Sequence, residues 1–404
     1  KTIITIMKKN RPTMTPKMPS GHRQHIIVGL VLLVCFSAVF FIYYKPAISW
    51  LPCSRSEPTP DACTDACLKV LKEEKAGNDC ILNQTLKEQQ TAATQSPQLD
   101  STHNANDTVV LIWSWPFGYQ FNLESCGSEF GITGCHLTAD RNQLDKAHGV
   151  MFHLRDIGGE LSYLLTLSRP PLQKWVWMNM ESPANSPQLP GADDLFNLTS
   201  NYRRDSDIWV PYGQLIEASE EDKTFQIPMK DKLVCWIVSN WNNNYKRVSY
   251  FNELSKYINI EVYGRHFGKY INKEDYFKIM SSCKFYLAFE NSIYKDYMSD
   301  KLYHPMRYGT VPVVLGPPRE NYEEFVPGNS FIHVDDFESP KEMADLLKLL
   351  DQNQEMYEQY FTWKKYFTVK GSAFGLEHAC RICEHLKKNK NFRVFKNINK
   401  WYWG

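Results

Sequence analysis

In the second half of the chain, short apolar runs alternate with amphipathic stretches. Residues 233–238 (LVCWIV) read as a buried strand, and the stretch 247–258 that follows puts Val248, Phe251, Leu254 and Ile258 on one helical face. Apolar runs recur at 260–264, 283–290 and 310–316, with a helix expected from Ser299. Another helix is expected after Ser339, which suits a cap, with Pro340 in the first turn and Glu342 completing a capping box. This alternation predicts right-handed βαβ units and a parallel sheet, an α/β fold. Earlier runs at 109–113, 149–154 and 175–180 also read as buried strands. The roughly 300 residues past position 107 exceed what one core usually organises, which predicts two domains.

The N-terminal region follows a different pattern. Residues 26–44 carry no charge and, at about 1.5 Å per helical residue, reach roughly 28 Å, enough to span a bilayer. A cleaved signal has a shorter apolar region and a small-residue cleavage site, whereas bulky Phe40, Phe41, Tyr43 and Tyr44 end this run. Cations without acids fill residues 1–25, so these form a cytoplasmic tail and everything after the anchor is lumenal. Residues 45–107 turn to Glu, Lys, Gln, Thr, Ser and Pro, the composition of a stem. Sequons at Asn83, Asn106 and Asn197 become N-glycosylation candidates in such a compartment.

With 46 Lys+Arg against 45 Asp+Glu over 404 residues, no basic excess favours nucleic acid. The 11 cysteines of a chain routed to an oxidising compartment read first as disulfide material, and Cys380 and Cys383, a CxxC without a second CxxC, read the same way ahead of a zinc or redox pair.

In open parallel sheets, ligands bind beyond the carboxyl ends of the strands. The loops there hold Ser239, Asn240 and Arg247, then Gly264, Arg265 and His266, then Glu290, Asn291, Lys295, Asp300 and Lys301. Arg247 and Lys301 each enter a helix at the end where its dipole disfavours a cation, so either a ligand anion or a neighbouring acid accounts for them. Glu181 closes the run WVWMNM and suits a general base or a hydrogen-bonded structural acid. Asp205-Ser206-Asp207 has the DxD form that some sugar-nucleotide enzymes use for a metal, but the adjacent Arg203 and Arg204 offer an internal salt bridge instead. No GxxxxGK[ST] or GxGxxG is present, which argues against an ATPase or a dinucleotide oxidoreductase.

The strings WPFG (115–118), GCHLTADR (134–141), WMNMESP (177–183), FNLTSNYRRDSDIWVPYG (196–213), CKFYLAFENSIYKDY (283–297) and VPVVLGPPRENYEEFVP (311–327) together resemble the Golgi α1,3-fucosyltransferases, within them the 4-galactosyl-N-acetylglucosaminide 3-α-L-fucosyltransferases. The resemblance implies a GT-B-like fold, two Rossmann-like domains facing a cleft. Residues 108–228 would bind the acceptor, 229–370 would bind GDP-fucose, and 371–404 would pack back on the first domain. It implies transfer of L-fucose from GDP-β-L-fucose to the 3-hydroxyl of GlcNAc in N-acetyllactosamine, with inversion, on glycoproteins or glycolipids at the Golgi membrane. Glu181 is then the base, and no metal or other cofactor is required. Tyr212, Ser239, Asn240, Arg247, Ile271, Tyr286, Asn291, Asp300 and Lys301 are the donor contacts, and Tyr119, Gln120 and Arg155 face the acceptor. Three disulfides are implied: Cys126–Cys380, Cys135–Cys383 and Cys235–Cys283. The chain departs from the family pattern at Asp300, where Glu is usual, at Tyr119, where Gln is common, and at Leu154 within the string His153-Leu154-Arg155-Asp156. A membrane-tethered sugar-binding protein without turnover, or a metal-dependent transferase using the DxD, is the alternative reading.

Overall fold

The computed structural model describes residues 107–158 and 161–404. The expected tail, anchor and stem, the sequons at Asn83 and Asn106, and Cys35, Cys53, Cys63, Cys67 and Cys80 lie outside the described residues. Among the described residues no helix is long and apolar enough to cross a membrane.

The apolar runs of the first half form β1 (Thr108–Ile112), β3 (Gly149–His153) and β4 (Lys174–Asn179), joined by β2 (Cys135–Thr138), β5 (Leu198–Asn201) and β6 (Ile208–Trp209). They make one parallel sheet in the order β2-β1-β3-β4-β5-β6. The second half gives β8 (Lys232–Ile237), β9 (Ile260–Tyr263), β10 (Cys283–Phe289), β11 (Val311–Leu315) and β12 (Ile332–His333), parallel in the order β12-β11-β10-β8-β9. In each sheet the chain starts in the interior, moves to one edge and then returns past its start. This leaves a topological switch point at β1/β3 and another at β8/β10, where loops diverge and open a crevice.

An antiparallel ribbon of β7 (Gly213–Glu217) and β13 (Phe367–Gly371) links the two lobes. It packs tightly: a Cβ at Gly213 would come within 2.5 Å of the Tyr303 ring.

Local signals account for the helices. The helix Lys246–Leu254 buries Val248, Phe251 and Leu254 and then stops, so Ile258 joins the core from beyond its end. Ser339 caps the helix Pro340–Gln352 by accepting the Glu342 N–H. The Glu342 carboxylate takes the N–H of Glu338, one residue upstream of the cap, so the expected capping box does not close.

Residues past β13 complete the first lobe. The helix Leu376–Lys388 lays Leu376, Ala379, Ile382 and Leu386 on one face of the first sheet, and Ile398 and Tyr402 from the helix Ile398–Trp403 enter the core on the other, with Phe152, Trp175 and Trp177. Disulfides Cys126–Cys380 and Cys135–Cys383 fasten the first of these helices, and Cys235–Cys283 joins β8 to β10. These are the pairs the family resemblance implies.

The sequon at Asn197 is corrected by the structure. Asn197 is fully buried, its Oδ1 accepts the Trp175 N–H at 2.7 Å and a bond from Arg169, and its Nδ2 donates to the Arg393 carbonyl at 2.6 Å. With donors and acceptor engaged inside the fold, no room is left for a glycan.

Candidate active site

β4 is buried along its whole length and delivers Glu181 just past its carboxyl end. The backbone there is tied from several sides. The Glu181 N–H donates to Asn179 Oδ1 at 3.3 Å, Asn179 Nδ2 donates to the Glu181 carbonyl at 3.2 Å, and the Tyr402 hydroxyl donates to the same carbonyl. The Tyr212 hydroxyl donates to the carbonyl of Met180. The carboxylate itself is half-buried, with Oε2 at 3.5 Å from the Tyr297 hydroxyl. Burial, reinforced by nearby carboxylates, pushes Tyr297 and Tyr212 well above the ordinary phenol value, so both remain donors. Tyr402→Phe removes one anchor of the Glu181 backbone and is expected to lower kcat about tenfold with donor KM unchanged. Equal loss in both parameters would place Tyr402 outside this positioning role.

β10 delivers Glu290 and Asn291 from the second lobe. Glu290 is 2% exposed and accepts both the N–H and the hydroxyl of Ser299 at 2.8 Å. Lys301 Nζ stands 3.1 Å from Glu290 and 2.7 Å from Ser299 Oγ. Burial opposes the Lys301 charge, but Glu290 and Asp300 outweigh it and raise its pKa. Arg247, 3% exposed, donates to the carbonyls of Phe289 and Asn240, while its Nε has no hydrogen-bond partner. Buried Glu290 and half-exposed Asp300 thus lie among two cations at the β8/β10 switch point, with one guanidinium donor unused. That combination suits an anion.

The two halves of the site meet. The Ser182 and Ser292 hydroxyls share a hydrogen bond at 2.6 Å, joining the residue after Glu181 to the residue after Asn291. Arg204 pairs with Asp296 and Glu324 across the same seam. Both Glu181 and Glu290 act electrostatically on Tyr212 and Tyr297, so the two carboxylates lie in the neighbourhood of the same tyrosine pair.

The other candidates distribute as follows. Ser239 and Asn240 are exposed after β8, and Asn291 is half-buried, its Oδ1 accepting from Ser292 Oγ at 2.9 Å. Asp300 is half-exposed beside Lys301, 3.8 Å from its Nζ. Ile271 lies just ahead of the helix Lys273–Ser282, and no described contact joins it to the Glu181 cluster. Tyr286 is a correction: it is 2% exposed in mid-strand, packed in the core with its hydroxyl toward the Ile237 carbonyl, and offers no surface to a ligand. Tyr297 is equally buried, and its hydroxyl is the one that reaches the Glu181 carboxylate.

On the first lobe, Tyr119 is 60% exposed and Gln120 is exposed after β1, while Arg155 is exposed after β3. They flank the β1/β3 switch point on the edge that also carries Glu181. Phe117, at φ 55°, donates its N–H to Asp156 Oδ2 at 2.9 Å, which in turn bonds His153 Nδ1 at 2.7 Å. The DxD carboxylates are engaged within the fold. Asp205 pairs with Arg203 at 2.7 Å, and Asp207 accepts the Thr199 N–H at 2.9 Å and pairs with Arg393.

Sequence reading missed Tyr297, Tyr402 and the buried role of Glu290. Glu290 and Tyr297 had a signal, both lying in the FENSIYKDY string, whereas Tyr402 had none.

Two doubly wound parallel sheets, with Glu181 past β4 of one and the Arg247, Glu290 and Lys301 cluster past β8 and β10 of the other, make this an α/β protein with charged groups at the strand ends. The chain belongs to the glycosyltransferase family 10 fucosyltransferases, whose C-terminal model matches residues 227–401 and whose fucosyltransferase N-terminal model matches 105–213. It is therefore a glycosyltransferase. It is 46% identical over 383 residues to the 4-galactosyl-N-acetylglucosaminide 3-alpha-L-fucosyltransferase 9 of Cricetulus griseus, covering 95% of this chain and 98% of that protein. The human protein of the same name is 45% identical over the same length. A Bos taurus 3-galactosyl-N-acetylglucosaminide 4-alpha-L-fucosyltransferase is 40% identical over 72% of this chain and 81% of its own. A solved alpha1,3-fucosyltransferase with GDP-fucose aligns over 75% of this chain and 96% of its own, at 15% identity and a TM-score of 0.47.

Proposed function

We propose that the protein is an inverting, metal-independent α1,3-fucosyltransferase of GT-B architecture that moves L-fucose from GDP-β-L-fucose to the 3-hydroxyl of GlcNAc in N-acetyllactosamine. The products are Lewis x-type glycans, and the setting is the Golgi lumen. What supports the reading is the placement of charge: Glu181 follows β4 on a loop that meets the second lobe through the Ser182–Ser292 hydrogen bond, and Arg247, with its Nε unpaired, and Lys301 gather around Glu290 past β8 and β10.

Glu181 accepts the acceptor hydroxyl's proton while the fucose–phosphate bond breaks and the new glycosidic bond forms on the opposite face of the sugar. Arg247 and Lys301 hold the charge that gathers on the departing diphosphate, and they are fixed before the reaction begins. Engagement of Asp205 and Asp207 by Arg203, Thr199 and Arg393 supports a structural role for the DxD. Ser239, Asn240, Asn291 and Asp300 line the donor side, and Tyr119, Gln120 and Arg155 line the acceptor side.

The test offers the full chain GDP-fucose with type 1 and type 2 lactosamines, with and without EDTA. Fucose is expected on type 2 acceptors at an undiminished rate in EDTA. Binding without transfer would favour the tethered sugar-binding protein, and loss of transfer in EDTA would favour a metal-dependent enzyme.

A further inference from the structure

Two serines meet where the lobes touch. Ser182 follows Glu181 in extended backbone, just ahead of the short turn Pro183–Asn185, and Ser292 follows Asn291 in the loop past β10. Ser182 is 0% exposed, and its hydroxyl lies 2.6 Å from that of Ser292. Asn185 Nδ2 donates to Ser182 Oγ at 3.0 Å and lies 3.5 Å from Ser292 Oγ, while Ser292 Oγ is 2.9 Å from Asn291 Oδ1.

One placement of the hydrogens satisfies all of these contacts: Ser182 donates to Ser292, Ser292 donates to Asn291, and Asn185 donates to the serine oxygens. A single chain of hydrogen bonds then runs from the residue after Glu181 to the Asn291 amide. Its strength is modest, since a neutral hydroxyl bond contributes about 1 kcal/mol. The seam also has heavier ties elsewhere: the Arg204 N–H donates to Asp296 at 3.0 Å, and its guanidinium pairs with Asp296 and Glu324. Location, rather than strength, distinguishes the serine chain. Asn179 and Tyr402 hold the Glu181 backbone within the first lobe, whereas the serines hold it to the second.

Transfer between two lobes requires base and donor sugar to be placed to within about 0.5 Å. We propose that Ser182 and Ser292 are positioning residues that set the Glu181 loop against the Asn291 loop. The inference rests on the reading of Glu181 as the base and of the loop past β10 as the donor side.

The test uses the full chain as Ser182→Ala, Ser292→Ala, the double variant and Ser292→Thr. Single-turnover transfer at saturating GDP-fucose and acceptor, the GDP-fucose Kd and Tm are measured for each. Both alanine variants should transfer about tenfold more slowly, with Tm lowered by no more than about 3 °C. The donor Kd should be unchanged in Ser182→Ala, which keeps the Ser292–Asn291 bond. The double variant should be no slower than the slower single, because both substitutions remove the same bond. Ser292→Thr, which keeps the hydroxyl at a half-buried position, should transfer at the wild-type rate. Should Ser182→Ala fail to fold, the Ser292 pair of variants decides. Losses that multiply in the double variant, a Ser292→Thr as slow as Ser292→Ala, or slowing matched by a large fall in Tm would overturn the proposal. Normal transfer by wild type and variants alike would overturn this role alone, whereas a wild-type chain that transfers no fucose would overturn the function and the role with it.

Discussion

Glu181→Gln should lower fucose transfer by a factor of about 10² to 10⁴ while GDP-fucose binding persists. Glutamine fills the same volume, and the backbone bonds from Asn179 and Tyr402 do not involve the side chain. The Tyr297 hydroxyl still finds an amide oxygen where the carboxylate oxygen was. What disappears is the proton acceptor, so the loss should fall on kcat, with the donor dissociation constant little changed. Turnover numbers together with calorimetric donor titration check both halves. Turnover equal to wild type would remove Glu181 from the chemistry.

The second large effect concerns Lys301, which serves stability and chemistry at once. Lys301→Ala leaves Glu290, 2% exposed, with the Ser299 N–H and hydroxyl and the field of Arg247 against its charge. Leaving a buried acceptor without one partner costs about 1–3 kcal/mol, so the variant should unfold at lower denaturant. Adding Glu290→Gln should restore part of that stability, because the buried carboxylate is gone, while Arg247, 3% exposed, keeps its own charge without that neighbour. Transfer should stay low in the double variant, since the cation facing the leaving diphosphate is still missing. If the double variant recovered both, Lys301 would be only the partner of Glu290. If stability failed to recover, the ion pair would not be the source of the loss.

The strands were legible because a strand covered on both faces is largely apolar: 109–113 and 233–238 are so throughout, and 175–180 and 283–290 are so but for Asn179, Lys284 and Glu290. The switch-point loops followed from strand order, which placed Arg247, Lys301 and Glu181 near ligand ground. Pairing was not legible. Glu290 and Lys301 stand on different elements, and only the fold shows that the lysine's charge is held by that carboxylate. Tyr286 and Tyr297 look equivalent in a string, yet one packs inside the second lobe and the other closes on Glu181. Asn197 misled for the same reason: a sequon is a local pattern, whereas access to it is tertiary. The grip of Tyr402 on the Glu181 loop spans a separation of 221 positions, which no periodicity reports.

The way the first sheet is covered bears on how the protein is made. β1 to β6 leave the ribosome long before residues 376–403, yet those late residues supply both helical covers, two disulfide partners and a clamp on the Glu181 loop. The first lobe therefore waits, half-dressed, while the entire second lobe is synthesised. Chains cut short in that interval expose apolar strand faces and unpaired thiols, features that set an unfinished molecule apart from a finished one.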